Sequence, residues 1–354
     1  MSDLDDSFSG TKDVASSLSF DEAALAAWMN ETVAGFDGPM TVSQFKGGQS
    51  NPTYKLDTPD RSYVLRRKPP GKLLPSAHAV DREYKVMKSL GGAGFPSPIM
   101  YGLCMDRDII GTEFYVMEFV EGRIFWDGLL PGMEPEERGQ IFDASNATLA
   151  HLHSIDIEAA GLGDYGKPGN YFQRQIGRWT KQYRAAETTT VSSMDKLIDW
   201  LPDAAPEQER TSVVHGDYRL DNMIFHPTEP RVIAVLDWEL STLGDPLADF
   251  TYQLMGWVMP PEVRGGFLGV DIASMGIPSI EEYTAAYCQR TNRDGIPALD
   301  FYLAFNTFRL ASIVQGVYSR ALQGNASNTK GIEMGAVVEP LSQAAWGFAK
   351  KAGA

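Results

Sequence analysis

His215, Gly216 and Asp217 are followed by Asn222, five residues after the Asp, and by Asp237, fifteen residues beyond that. The run VVHGDYRLDNMIF leads into VIAVLDWELSTLGDPLADF. Val213 and Val214 read as an apolar strand that delivers a short polar loop. Residues 223–225 resume as strand, and a second strand over 232–236 ends on Asp237. Two carboxylates and an amide therefore stand at strand ends, where a ligand can reach them. Transfer of a phosphoryl group from ATP to a hydroxyl needs a carboxylate near the attacking oxygen, and oxygen ligands for the Mg2+ that neutralises the phosphates. Asp217 suits the first role; Asn222 and Asp237 suit the second.

Such groups need a frame to hold them. Residues 1–16 are polar and rich in Ser and Asp, and are expected to form a disordered tail. Ser19 with Glu22 fits a capping box opening a short helix, in which Leu25, Trp28 and Met29 share a face. Residues 41–56 read as strand, glycine-containing turn and strand, and the DTPDRS loop leads to a third strand over 63–67. A helix over 77–90 stops at Gly91 and Gly92, and strands near 99–103 and 113–119 follow. After Gly122 the pattern turns helical. Ile141, Ser145, Thr148, Leu149 and Leu152 recur at helical spacing, and segments 172–186, 194–201, 245–255, 280–290 and 298–322 also read as helices. The expected architecture is α+β. An N-terminal lobe over 17–120 holds a small five-stranded sheet and one main helix, and a larger, mainly helical lobe covers 121–354, with the boundary at 118–122.

Composition narrows the classes. The chain of 354 residues carries 31 basic and 46 acidic side chains, a net charge of −15, which argues against nucleic acid and against an anionic membrane surface. It is compatible with a cationic substrate. Hydrophobic content of 43% supports a packed core. Two cysteines, Cys104 and Cys288, are far apart in apolar surroundings and form neither a disulfide framework nor a zinc spacing. The acidic start MSDLDDSFSG is unlike a signal or transit peptide, and no apolar run approaches the ~18 residues that span a bilayer. A cytoplasmic enzyme is the expectation; the oligomeric state is not readable.

The catalytic loop has the form H-G-D-x-x-x-x-N, and in this it resembles the aminoglycoside phosphotransferase family within the protein-kinase-like fold, whose protein-kinase members read H-R-D-x-x-x-x-N. Gly216 replaces the Arg that reads activation-loop phosphorylation, which implies a constitutively formed loop and a small-molecule substrate. The segments GGQSNPTY, YVLRRKPPG, GLGDYGKPGNYFQRQ and LDWELSTLGDPLADF are similar to the branch fused to acyl-CoA dehydrogenases, and the similarity runs over about 36–350. The resemblance implies a bilobal kinase-like fold with an antiparallel N-lobe sheet, and ATP and Mg2+ as cofactors. By register with the family's third strand, Arg66 stands where Lys is usual, with Glu83 as its carboxylate partner. Lys68, on the same face of a strand, is the reserve candidate. The resemblance also sets the carbonyl of Glu118 and the N–H of Val120 against the adenine edge.

In the turn at Gly47–Asn51, Gly48 and Ser50 can direct backbone N–H groups and a hydroxyl at phosphate oxygens. Arg219 points at the γ-phosphate or is a solvated loop residue. Glu239 is a second acceptor or pairs with a basic group. Asp245 and Asp249 open a helix and are explained by capping and the helix dipole. His215 is expected to pin the loop. GLGDYG at 161–166 follows a helix, so its formal G-x-G-x-x-G match fails as a dinucleotide motif. It opens instead onto Tyr171, Arg174 and Arg178, a basic and aromatic stretch that suits an anionic acceptor. A hydroxyacyl compound or its CoA thioester is the preferred substrate reading. Aminoglycoside, choline or sugar kinases are alternatives, and a nucleotide-binding pseudokinase is the rival from another class.

Overall fold

The computed structural model describes residues 9–46, 51–71, 78–261, 263, 265–323 and 331–354. The chain divides into two compact units, Met1–Tyr165 with Arg219–Ser241, and Gly166–Tyr218 with Thr242–Ala354.

In the first unit, strands β1 (Thr11–Lys12), β2 (Thr41–Phe45), β3 (Thr53–Asp57), β4 (Ser62–Arg67), β5 (Met100–Cys104) and β6 (Phe114–Glu118) form one antiparallel sheet in the order β1-β2-β3-β4-β6-β5. Burial follows the pleat. In β3, Tyr54 and Leu56 are buried between half-buried Thr53, Lys55 and Asp57, as a period of two requires. Central β4 is buried from Tyr63 to Arg67 because both its faces are covered. Helix α1 (Glu22–Thr32) supplies Leu25 and Met29 to a core that includes Tyr54, Leu56, Tyr63, Leu65, Phe114 and Val116. Helix α2 (Val80–Gly92) buries Val80, Glu83, Val86, Met87 and Leu90, so a carboxylate sits within an apolar stripe. A helical turn α3 (Arg107–Ile110), helix α4 (Pro135–Ser154) and a hairpin of β8 (Met223–Phe225) and β9 (Val232–Val235) complete this unit.

The five expected strands are all present, and β1 is an addition. Thr11 and Lys12 pair with Phe45 and Gln44, so order reaches into the stretch expected to be a disordered tail. Its anchors are distant polar groups that composition does not register: the Ala15 N–H donates to Gln44 Oε1 at 3.4 Å, and the Lys46 N–H donates to the Gly10 carbonyl at 3.1 Å. The cap of α1 is also corrected. Asp21, not Ser19, accepts from the N–H groups of Ala23 and Ala24. The division between units does not fall at 118–122. Arg123 bridges to Phe225 through the backbone, and its side chain donates to the carbonyls of His226 and Glu229, which ties the following segment to the β8–β9 hairpin. Gly122 is required there, since a Cβ would lie 2.3 Å from the Phe225 carbonyl oxygen.

The second unit is helical around one antiparallel pair, β7 (Ser212–Val214) and β10 (Thr242–Gly244). Its helices are α5 (Tyr171–Ala186), α6 (Ser192–Ala204), α7 (Pro246–Val258), α8 (Ile280–Thr291), α9 (Leu299–Leu322) and α10 (Gly335–Lys351). Helix α9 is buried continuously from Phe301 to Ser312, which marks it as the central element of this unit. Phe172 packs edge-on or tilted against Phe301, Tyr302 and Phe305, with centroids 5.1–5.5 Å apart. No helix among the described residues is long and apolar enough to cross a membrane.

Candidate active site

In the first unit, β4 carries Arg66 toward α2. The Arg66 Nε lies 2.9 Å from Glu83 Oε2, and Nη2 lies 2.9 Å from Asp237 Oδ1 and 3.7 Å from Glu239 Oε2. Glu83 is 1% exposed and accepts from Asn51 Nδ2 at 2.9 Å and from the Tyr115 hydroxyl at 3.0 Å. Burial pushes the Glu83 carboxyl up against the pull of Arg66. Burial likewise opposes the guanidinium charge, yet Glu83, Tyr115, Asp237 and Glu239 together raise Arg66 above its ordinary value. The expected Arg66–Glu83 pair thus exists as the buried end of a larger, partly exposed network. Lys68 pairs instead with Glu113 at 3.5 Å, and among the described residues Arg66 is the cation paired with Asp237.

The two candidate magnesium ligands are brought together by the hairpin. Met223 pairs with Val235, and the Leu236 N–H donates to the Asn222 carbonyl at 2.8 Å, so Asn222 and Asp237 stand at the same end. Asp237 has left-handed backbone angles, φ 63° and ψ 58°. Trp238 behind it is buried and donates to the Val235 carbonyl at 2.9 Å. Arg219 forms an ion pair with Asp221, and Glu239 pairs with Arg66. At the expected adenine edge, the Glu118 N–H donates to the Ile99 carbonyl at 2.8 Å while its carboxylate accepts from the Ile99 N–H at 3.0 Å. Val120 follows as a half-buried residue past the end of β6. Gly48 and Ser50 lie outside the described residues.

In the second unit, β7 delivers the other half of the motif. Asp217 Oδ1 accepts from the Tyr252 hydroxyl at 2.5 Å, and the Asp217 N–H donates to His215 Nδ1 at 3.2 Å. The buried His215 pins the loop in this way, as expected. Asp249 on α7 accepts from the N–H groups of both His215 and Gly216, the latter at 2.8 Å. Its expected capping role therefore belongs to Asp245 alone; Asp249, one turn further on, faces the loop. The Gly216 carbonyl accepts from Arg309 Nη2 of α9. With φ at 87°, Gly216 occupies backbone space that side chains rarely adopt. Tyr252 and Arg309 are neighbours of this loop that sequence reasoning missed, and Asp249 is one it had assigned to capping.

The three substrate candidates on α5 fare differently. Tyr171 is 3% exposed and packs so closely on β10 that a Cβ at Gly244 would meet its ring at 2.3 Å, so it is a core residue of this unit. Arg174 donates to the carbonyls of Lys167 and Gly169 and closes the loop ahead of its own helix. Arg178 is exposed, with its guanidinium 5.5 Å from the Trp179 ring centroid.

Asp245 accepts from the Leu247 N–H at 2.9 Å as the cap of α7. Burial pushes its carboxyl up to about 6 from 3.8, with Leu247 and Arg293 opposing. Since the folded value exceeds the unfolded one, the folded state binds the proton more tightly, and stability is lost as pH rises through that interval. Asparagine caps equally well and does not ionise. Melting curves are expected to show Asp245→Asn more stable than the parent by on the order of 2 kcal/mol at pH 7.5, with the gap closing below about pH 4. A gap that is equal at both pH values would contradict this account.

A model of the phosphotransferase enzyme family matches residues 41–302. Acyl-CoA dehydrogenase family member 10 of Mus musculus is 47% identical over 349 residues, which are 97% of this chain and 32% of that protein. Acyl-CoA dehydrogenase family member 11 of Homo sapiens is 44% identical over 353 residues, 97% of this chain and 45% of that one. The chain thus spans less than half the length of these relatives. A solved structure, a putative aminoglycoside phosphotransferase from Ralstonia eutropha JMP134, is 52% identical with a TM-score of 0.87, covering 94% of this chain and 99% of that one. A thermostable mutant of aminoglycoside phosphotransferase APH(4)-Ia, solved with ADP and hygromycin B, shares the fold at a TM-score of 0.59 and 16% identity, over 93% of this chain and 98% of that one. These likenesses give the chain the protein-kinase-like α+β fold. Because the family match runs from β2 into α9, through Arg66, the HGD loop and Asp237, the chain belongs to the phosphotransferase enzyme family.

Proposed function

We propose that this enzyme transfers the γ-phosphoryl group of ATP, with Mg2+, to the hydroxyl of a small molecule, and that its preferred acceptor is a hydroxylated acyl chain carried as a CoA thioester. The observation that carries the reading is the Asp217 carboxylate, gripped by Tyr252 in a loop that Asp249 fixes, on a run that continues into Asn222 and Asp237. Asp217 orients the acceptor hydroxyl and takes its proton late, as the new O–P bond forms and the bond to the ADP oxygen breaks. Arg66 supplies the cation for the phosphates, while the main chain at Glu118 and Val120 receives the base. Gly48 and Ser50 belong to the phosphate-binding turn of the same reading, and Arg219 is available to the γ-phosphate by exchanging Asp221 for it.

The donors fit Mg2+. This ion keeps several waters and takes one or two protein oxygens besides the phosphates. Asn222 and Asp237 offer an amide and a carboxylate oxygen at one hairpin end, and no cluster of three or more His, Cys, Asp or Glu side chains that could hold an ion occurs among the described residues. Held there, Mg2+ would neutralise charge on the phosphates during transfer.

The acyl preference is supported by the 47% and 44% identity to proteins named as acyl-CoA dehydrogenase family members. Exposed Arg178 and Lys181, one turn apart on α5, offer cations for the phosphates of CoA. A second reading, an aminoglycoside acceptor, has its own support in the net charge of −15 and in the name of the 52% identical structure. ADP release measured with Mg-ATP and a panel of hydroxyacyl-CoA esters, aminoglycosides, choline and sugars separates them. Turnover is expected on hydroxyacyl-CoA; turnover on an aminoglycoside and none on the acyl esters would overturn the choice.

A further inference from the structure

We infer that Tyr252 is a positioning residue for Asp217, and that Arg309 holds Tyr252 and the preceding peptide in register for it. The inference rests on the reading of Asp217 as the group that takes the acceptor proton. Tyr252 is 6% exposed and its hydroxyl donates to Asp217 Oδ1 at 2.5 Å. Arg309 is 5% exposed; its guanidinium carbon lies 5.1 Å from the Tyr252 ring centroid and 5.5 Å from that of Trp179, and Nη2 donates to the Gly216 carbonyl.

The order of these contacts has a mechanical meaning. Asp249 and Tyr252 are three residues apart on α7, so they project from one face. Asp249 holds the amides of His215 and Gly216, and Tyr252 holds the next side chain. The Gly216 peptide is gripped on its N–H side from α7 and on its carbonyl side from α9. The rotation of the Asp217 carboxylate about its own bonds is left to its side-chain partners, of which the Tyr252 hydroxyl is one. The phenol bond restrains that rotation and draws charge onto Oδ1. A carboxylate that receives a proton late in a loose transition state depends on its direction as much as on its basicity.

Tyr252→Phe removes one oxygen and leaves the ring over which Arg309 lies. ADP release is followed with Mg-ATP and hydroxyacyl-CoA esters carrying the hydroxyl at different chain positions. The expected result is a fall in kcat of about tenfold, with KM for Mg-ATP within about twofold of the parent and an unchanged melting temperature. In an Asp217→Asn background the same change should have no further effect, because the two residues act as one unit. The carboxyl 13C resonance identified by its loss in Asp217→Asn gives a readout that needs no acceptor. It should shift in Tyr252→Phe at fixed pH. An unmoved resonance, a kcat within about twofold of the parent, or a kcat loss matched by a rise in KM for Mg-ATP and a lower melting temperature overturns the inference. Failure of the underlying reading looks different: Asp217→Asn itself would then turn over normally.

Discussion

Asp217→Asn is expected to lower turnover on the best acceptor of the panel by about 10²–10⁴-fold, while Mg-ATP still binds within about twofold of the parent affinity. The separation follows from what each contact requires. The amide oxygen of asparagine still accepts from the Tyr252 hydroxyl, and the backbone N–H of residue 217 still donates to His215 Nδ1, so the loop keeps its supports. The grips of Asp249 on His215 and Gly216 and of Arg309 on Gly216 do not involve the altered atoms at all. What is lost is an oxygen able to take a proton. Isothermal titration with Mg-ATP and ADP release in the presence of acceptor read the two halves independently. Near-normal phosphorylation by this variant would remove Asp217 from its role.

The HGD loop, Asn222 and Asp237 stand out in the sequence because the chemistry proposed for them is written in one short linear run with strands on either side. Arg66 and Glu83 were legible through register, and β4 and α2 bring them together at 2.9 Å. The supports of the loop were not. Tyr252 and Asp249 reach it across 35 and 33 residues and Arg309 across 93, distances at which no local pattern operates. A signal did exist for two of them: Asp249 and Tyr252 are polar groups three apart in the mainly apolar run PLADFTYQLMGWV, and a buried helix seldom spends two such groups on one face without a partner. Tyr171 misled because an aromatic beside basic residues reads the same whether it lines a pocket or closes a core. Helix α10 escaped notice because Pro340 interrupts its pattern, yet it buries Val338, Leu341, Ser342 and Ala345. The fold, whose strands and helices follow period and punctuation, was far more open to reading than the contacts between distant elements.

Arg66→Met is expected to destabilise the protein by about 3–5 kcal/mol and to abolish measurable Mg-ATP binding, and the two losses are separable. Methionine preserves much of the volume of the stem but removes the charge that faces Glu83, Asp237 and Glu239. Glu83, 1% exposed, is then left with only neutral donors at its oxygens, Asn51 and Tyr115, and with two other carboxylates that Arg66 had screened. A buried carboxylate without a cation favours its protonated form, so the folded value of Glu83 rises further above its unfolded one. Stability of the variant is accordingly retained at low pH and lost as pH rises, and its deficit against the parent should be larger at pH 8 than at pH 5. Adding Glu83→Gln removes the orphaned charge while keeping groups that bond to Asn51 and Tyr115, so the double variant should regain most of the melting temperature at pH 8. It should not regain nucleotide binding, because the guanidinium proposed to meet the phosphates is still missing. An Arg66→Met protein that melts like the parent at pH 8 would show that the network does not depend on this charge. A double variant that binds Mg-ATP normally would move the phosphate contact to another residue.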